Sequence, residues 1–179
     1  MKKLRIIEVK SEIGAGTRGA SMGPDAIKIA ALDYGSNLFK KVDKVEVPVE
    51  NQLLFESPGS PYAKRIKGML SVLEKTANQV RNTLKNNEFP IVLAGDHSTS
   101  AGTISGIKMA YPKQKIGVIW IDAHADYNNP ATSPSGNMHG MPVAFFTGDK
   151  GFDGILPANR PLVQPQNVHI LGVRSIDRA

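Results

Sequence analysis

Two continuous apolar runs, residues 89–94 and 116–121, constrain the fold more than any other feature of the chain. Each has the length of a strand, and neither alternates with polar residues. Such runs suit strands buried on both faces of a parallel sheet. Between and around them lie stretches with helical spacing. Residues 60–85 read as the longest helix, opened by Ser60-Pro61. Its apolar stripe is Ile66, Met69, Leu70, Leu73, Ala77, Val80 and Leu84, at three- and four-residue steps. Strands are expected at 4–9 and 44–47, with a further buried strand at 167–173. A glycine-rich loop at 14–23 leads to a short helix in which Pro24 occupies the first turn and Leu32 the end. Ser98 reads as the N-cap of a helix over 99–110, closed by Tyr111-Pro112. Strands alternating with helices predict an α/β fold with a mainly parallel sheet. Residues 128–134 and 157–165 read as loops within it, and residues 1–179 as a single domain.

Composition removes several function classes. The chain has no cysteine, which excludes a disulfide framework and suits a reducing, cytoplasmic setting. No apolar run approaches the length of a membrane span. The first residues resemble the start of a signal peptide, but Glu8 and Lys10 end the apolar stretch, and a first strand is the better reading. The net charge of +6 is spread along amphipathic segments, without an arginine cluster interleaved with aromatics, so no nucleic-acid partner is expected.

Three of the four histidines fall in three short clusters: Gly95-Asp96-His97-Ser98, Asp122-Ala123-His124-Ala125-Asp126, and Ser135-Gly136-Asn137-Met138-His139-Gly140. The first two follow the apolar runs. They therefore lie at carboxyl ends of parallel strands, where open α/β sheets build their sites. If the backbone stays extended beyond Ile121, then Asp122, His124 and Asp126 project to one side at period two and can meet His97 from the neighbouring strand. Imidazole and carboxylate together suit a divalent cation such as Mn²⁺. Each cluster alone has an ordinary structural reading. Asp126 could cap a turn, Gly-Asp-His-Ser could be a tight turn, and Ser135-Gly136-Asn137 could be turn chemistry. Their coincidence at neighbouring strand ends favours a site. His169, inside an apolar strand and apart from the clusters, reads as structural.

Together these clusters resemble the metal and substrate motifs of the arginase (ureohydrolase) family. Gly95-Asp96-His97-Ser98 is similar to the first metal motif, with Ala94 where a glycine is usual. Asp122 to Asp126 matches the second, and Ser135 to Pro142 resembles the substrate loop of arginases; Gly23-Pro24 also fits the amino-terminal pattern. The resemblance implies a three-layer α/β/α fold of the arginase–deacetylase type and a binuclear manganese hydrolase that converts L-arginine and water to L-ornithine and urea. It implies metal ligation by His97, Asp122, His124 and Asp126, with Asp122 bridging two ions. His139 would be the proton shuttle, and Asn128, Ser135 and Asn137 would bind the substrate carboxylate. It also implies a homo-oligomer, a trimer or hexamer. Sister activities on agmatine, guanidinobutyrate or formiminoglutamate, or a catalytically inactive metal-binding remnant, are the alternatives. One departure stands out. The family adds two metal carboxylates from a later Asp-x-Asp motif and a later Glu, whereas this sequence offers only Asp149, Asp153 and Asp177 after Asp126. The expectation is a chain corresponding to the amino-terminal half of the family domain and somewhat more.

Overall fold

The computed structural model describes residues 2–156 and 160–176. In chain order its strands and α-helices are β1 (Lys3–Val9), α1 (Gly23–Asp33), α2 (Leu38–Lys41), β2 (Asp43–Glu46), α3 (Ile66–Lys85), β3 (Glu88–Ala94), α4 (Ser100–Ala110), β4 (Val118–Ile121), α5 (Pro142–Thr147) and β5 (Val168–Leu171). All pairings between these strands are parallel. They form two sheets, ordered β2-β1-β3 and β4-β5, where a single sheet was expected. No ladder joins β3 to β4 among the described residues, and β3 is an edge strand. Pro90, which has no N–H to donate, fits that edge position.

The first sheet is covered on both faces. Ile6, Ile7, Glu8 and Val9 are buried consecutively, so residues pointing to opposite sides of β1 are both shielded. On one side Ile7 and Val9 join Met69, Val72, Leu73 and Val80 of α3 in the main core. On the other, Glu8 receives Lys28 of α1 at 2.9 Å, a buried carboxylate compensated by an ammonium group. Helix, sheet and helix thus make three layers. A second core cluster gathers Val118 and Trp120 of β4 with Val143 and Phe146 of α5 and Val163.

Helices α3 and α4 touch through glycine. A Cβ on Gly106 would lie 2.5 Å from the Ala77 carbonyl oxygen, and one on Gly102 would lie 2.8 Å from that of Leu73. Only glycine admits so close a backbone approach. This contact carries the helix that follows His97 onto the main core.

Several elements differ from the sequence reading. Helix α3 starts at Ile66 and not at Ser60. Ser60 caps a turn, accepting from the Tyr62 and Ala63 N–H groups, while the Lys64 N–H goes to the Gly136 carbonyl. Arg65 then enters the helix in the left-handed conformation. The runs at 89–94 and 116–121 are not buried on both faces. Phe89 is exposed, and β4 alternates, with Val118 and Trp120 inward and Ile119 and Ile121 outward. The 167–173 strand shortens to β5, on which His169 and Leu171 are exposed, so His169 is a surface residue. For β4 and β5 the reason is shared: among the described residues helices cover only the α5 side of the second sheet, whereas Phe89 lies on the edge strand of the first. Asp177 and part of the 157–165 loop lie outside the described residues.

Candidate metal centre

The site is assembled from the ends of β3 and β4. After Ala94 the backbone follows β1 for two more residues: the Gly95 N–H donates to Val9 and the Asp96 N–H to Ser11. His97, Ser98 and Thr99 then form a 3₁₀ turn leading into α4. Asp96 caps that turn, its carboxylate accepting from the Ser98 N–H at 3.0 Å; α4 starts at Ser100, so Ser98 is not the N-cap of the helix that the sequence suggested. Ser98 is buried beneath it and donates its hydroxyl to the same carboxylate. The turn projects the His97 ring outward, where it stacks on Trp120 of β4 at 4.2 Å.

At the end of β4 the backbone does not stay extended. Asp122 Oδ1 accepts from the His124 N–H at 2.9 Å, an Asx-type turn that bends the chain immediately. Asp126 adopts φ of 48°, a left-handed conformation that aspartate tolerates. The period-two alignment of Asp122, His124 and Asp126 is therefore replaced by two reversals. They bring Asp122 and Asp126 together and turn the His124 ring into solvent. The Asp126 carbonyl accepts from the Val143 N–H, and the Asn128 N–H donates to Gly140. These bonds tie the second cluster to the third.

One nitrogen and two carboxylates converge as a result. His97 Nδ1 lies 2.9 Å from Asp122 Oδ2 and 3.0 Å from Asp126 Oδ2. Ligand atoms of these three residues lie within 4.8 Å of one another, the only such group of three among the described residues. An imidazole with two carboxylates is a donor set for a borderline-to-hard divalent cation, so the residues present fit a metal. A proton on Nδ1 can bridge the same two carboxylates. Burial lowers the His97 pKa, but the Asp126 and Asp122 carboxylates outweigh it, and the net shift is upward. Burial likewise works against the Asp122 carboxylate. The His124 N–H and the His97 and His124 rings prevail and hold its pKa below the usual range. His124 stands at the margin, its Nδ1 3.5 Å from Asp122.

A cleft of about 560 Å³ opens beside this group, lined by His124, Asp126, Asn128 and His139 together with Tyr127, Asn129, Thr132 and Asp149. His139 sits in a 3₁₀ turn (Met138–Gly140), flanked by buried Met138 and Met141, which anchor it in the main core. Ser135 and Asn137 do not line the cleft wall. The Ser135 hydroxyl accepts from the Asn137 N–H, and Asn137 Nδ2 donates to the Ala15 carbonyl, so both shape the loop. Asp149 and Asn129 were not singled out from the sequence. Asn129 donates to Asp149 across 2.8 Å, and Asp149 caps a turn through the Gly151 N–H. The Asn-Asn-Pro and Asp-Lys-Gly turn signals were legible, but nothing local said that they meet at one cleft.

The sequence model described as Arginase family matches residues 2–179. The chain belongs to the arginase family. This arginase-family chain is 36% identical over 182 residues to the arginase of Staphylococcus aureus (strain MSSA476), covering 99% of itself and 59% of that protein. It is 35% identical to the arginase of Bacillus caldovelox, over 99% of its own length and 60% of the relative's. The solved structure of the Bacillus caldovelox arginase superimposes with a TM-score of 0.81 at 34% identity, over 99% of this chain and 60% of that one. The formimidoylglutamase of Bacillus subtilis shares the fold, at a TM-score of 0.64 and 20% identity, over 99% of this chain and 50% of that one. The chain thus spans about 59% of the length of the curated relatives it matches, and its α/β architecture is the arginase fold.

Proposed function

We propose that the protein is a manganese-dependent ureohydrolase acting on L-arginine to give L-ornithine and urea. The observation that carries this reading is the convergence of His97, Asp122 and Asp126 beside a cleft that also holds His139. His97, Asp122 and Asp126 would hold a divalent ion, with His124 and Asp122 available to a second. When bound, such ions supply a nucleophile by lowering the pKa of water toward neutrality.

The other roles belong to the chain's own groups. Asp126 and Asp149 give the cleft wall negative charge, which attracts a guanidinium cation despite the basic protein as a whole. Cleavage of the guanidinium C–N bond releases an amine that needs a proton. The imidazole of His139, which lines the cleft, can deliver it. Asn128 in the cleft offers a neutral hydrogen-bonding group to the α-carboxylate, which agmatine lacks, and Ser135 and Asn137 would shape the loop that carries His139.

The test is urea release by the whole protein loaded with Mn²⁺, with L-arginine and agmatine compared side by side. A site built around an absent carboxylate should reject agmatine by roughly 10⁴ in kcat/KM. Equal turnover would assign the protein to a sister activity, and no urea from either would overturn the hydrolase reading.

A further inference from the structure

Among the buried carboxylates that the mechanism above leaves unused, Asp96 lies beside the site. Asp96 is 6% exposed and has no cation beside it among the described residues. Its bonds run in two directions. One oxygen, Oδ1, accepts from the N–H and hydroxyl of Ser98, in the turn that carries His97. The other, Oδ2, accepts from the Gly14 N–H at 3.1 Å. Gly14 passes the connection on. Its carbonyl accepts from the His139 N–H at 3.1 Å and lies 3.2 Å from His139 Nδ1. Gly14 has no room for a side chain, because a Cβ there would collide with Asp96 and Ser98. The turn after β1 is therefore clamped between the two halves of the site.

A carbonyl only accepts. The bond to His139 Nδ1 exists only when that nitrogen carries hydrogen, and the bond made by one imidazole nitrogen sets the role of the other. We propose that Asp96 is a positioning residue for His139: through Gly14 it selects the Nδ1–H tautomer and leaves Nε2 as the nitrogen that exchanges a proton. This rests on the reading of His139 as the proton shuttle, and it adds which nitrogen works and what holds it. An unconstrained histidine side chain in water favours the opposite, Nε2–H form. The ring would cycle between neutral Nδ1–H and the doubly protonated ion, with the Nδ1 bond kept throughout. Asp96 would thereby join the orientation of the shuttle to the turn bearing His97.

The experiment is a two-bond ¹H–¹⁵N correlation spectrum of the ¹⁵N-histidine-labelled chain, with His139 identified by its loss in His139→Gln. The Nδ1–H to Nε2–H ratio of neutral His139 should be roughly fivefold higher than in an unconstrained histidine side chain, the shift that one net hydrogen bond sustains. In Asp96→Asn a single amide oxygen replaces two acceptors. Either Gly14 or Ser98 then faces an NH₂ group, and the bias should fall toward that of an unconstrained histidine side chain. Ser98→Ala touches only Oδ1 and should keep the bias. Should Asp96→Asn fail to fold, the Gly14 amide of the unmodified chain still reports, since its bond to Asp96 should make it slow to exchange. A predominantly Nε2–H His139, an unchanged bias in folded Asp96→Asn, or a fast-exchanging Gly14 amide would each overturn the proposal. These readouts need no turnover. A protein inactive on every guanidino compound would sink the hydrolase reading and leave the tautomer result standing.

Discussion

Strand β4 is wholly apolar while β1 carries Lys3, Arg5 and Glu8, yet β1 is the better covered of the two. In β1 four consecutive residues are buried, with α3 on one face and α1 on the other. In β4 only alternate residues are buried, and Ile119 and Ile121 are 71% and 79% exposed. The two halves of the candidate site inherit this difference. His97 rises from a turn held by the buried Asp96 network. Asp122 and Asp126 come from a double reversal tied down by the Leu171, Ala123 and Val143 backbone contacts. Burial on both faces is therefore a property of the layers around a strand and not of its own composition.

The largest effect should come from truncating one isoleucine in each strand. Ile7→Ala removes a fully buried side chain from the main core and should cost about 2–5 kcal/mol in urea denaturation. Ile121→Ala should stay within about 0.5 kcal/mol, since its side chain is mostly in solvent. Equal costs would mean that the outer face of β4 is covered in solution.

Metal affinity sharpens the comparison of the two strand ends. Outer partners of metal ligands typically contribute 10–100-fold in affinity, so Asp122→Ala, which removes a proposed direct ligand, should weaken Mn²⁺ binding by at least about 100-fold. Calorimetric titration of the chain reads this directly. An unchanged affinity would show that the carboxylates of β4 do not hold the ion.

The smallest effect concerns pH. A cation and a proton compete for His97 Nδ1, so Mn²⁺ affinity should drop as pH falls through its raised pKa, beginning above ~6.5, by up to about tenfold per pH unit. For the metal-free chain the sign is opposite. Protonated His97 contributes stability that is fully present below ~6.5 and is lost as pH rises through the raised folded value. Denaturation midpoints across that window, compared with His97→Gln, check the second half. A pH-independent difference between the two would remove the His97 bridge from the account.

Much of the arrangement was legible. The strands β1, β2 and β3 and the helix after Pro24 follow from apolar runs, helical spacing and punctuation by proline and glycine. The three motif clusters announced a site at strand ends, and the family followed from them. The start of α3 was missed because the Lys64 N–H is taken by Gly136, some seventy residues on, a partner that no local pattern contains. Ser98 was read as the cap of the helix over 99–110 because Ser and Asp both cap, whereas a 3₁₀ turn capped by Asp96 precedes the helix. The extended reading of Asp122 to Asp126 failed because Asp122 bonds forward to the His124 N–H, which bends the strand at its end.

The sequence by itself determined most of the strands and longer helices, the parallel α/β class, the family and the residues that could bind a metal. These depend on periodicity and on side-chain chemistry, both of which are local. The tertiary structure decided which donors converge and which stand aside, which faces of the strands are covered, and how Asp96, Gly14 and His139 are connected. Those outcomes depend on distances between residues far apart in the chain, and packing sets them through the close α3–α4 contact, the buried methionines beside His139 and the hydrogen bonds that only buried groups are obliged to make.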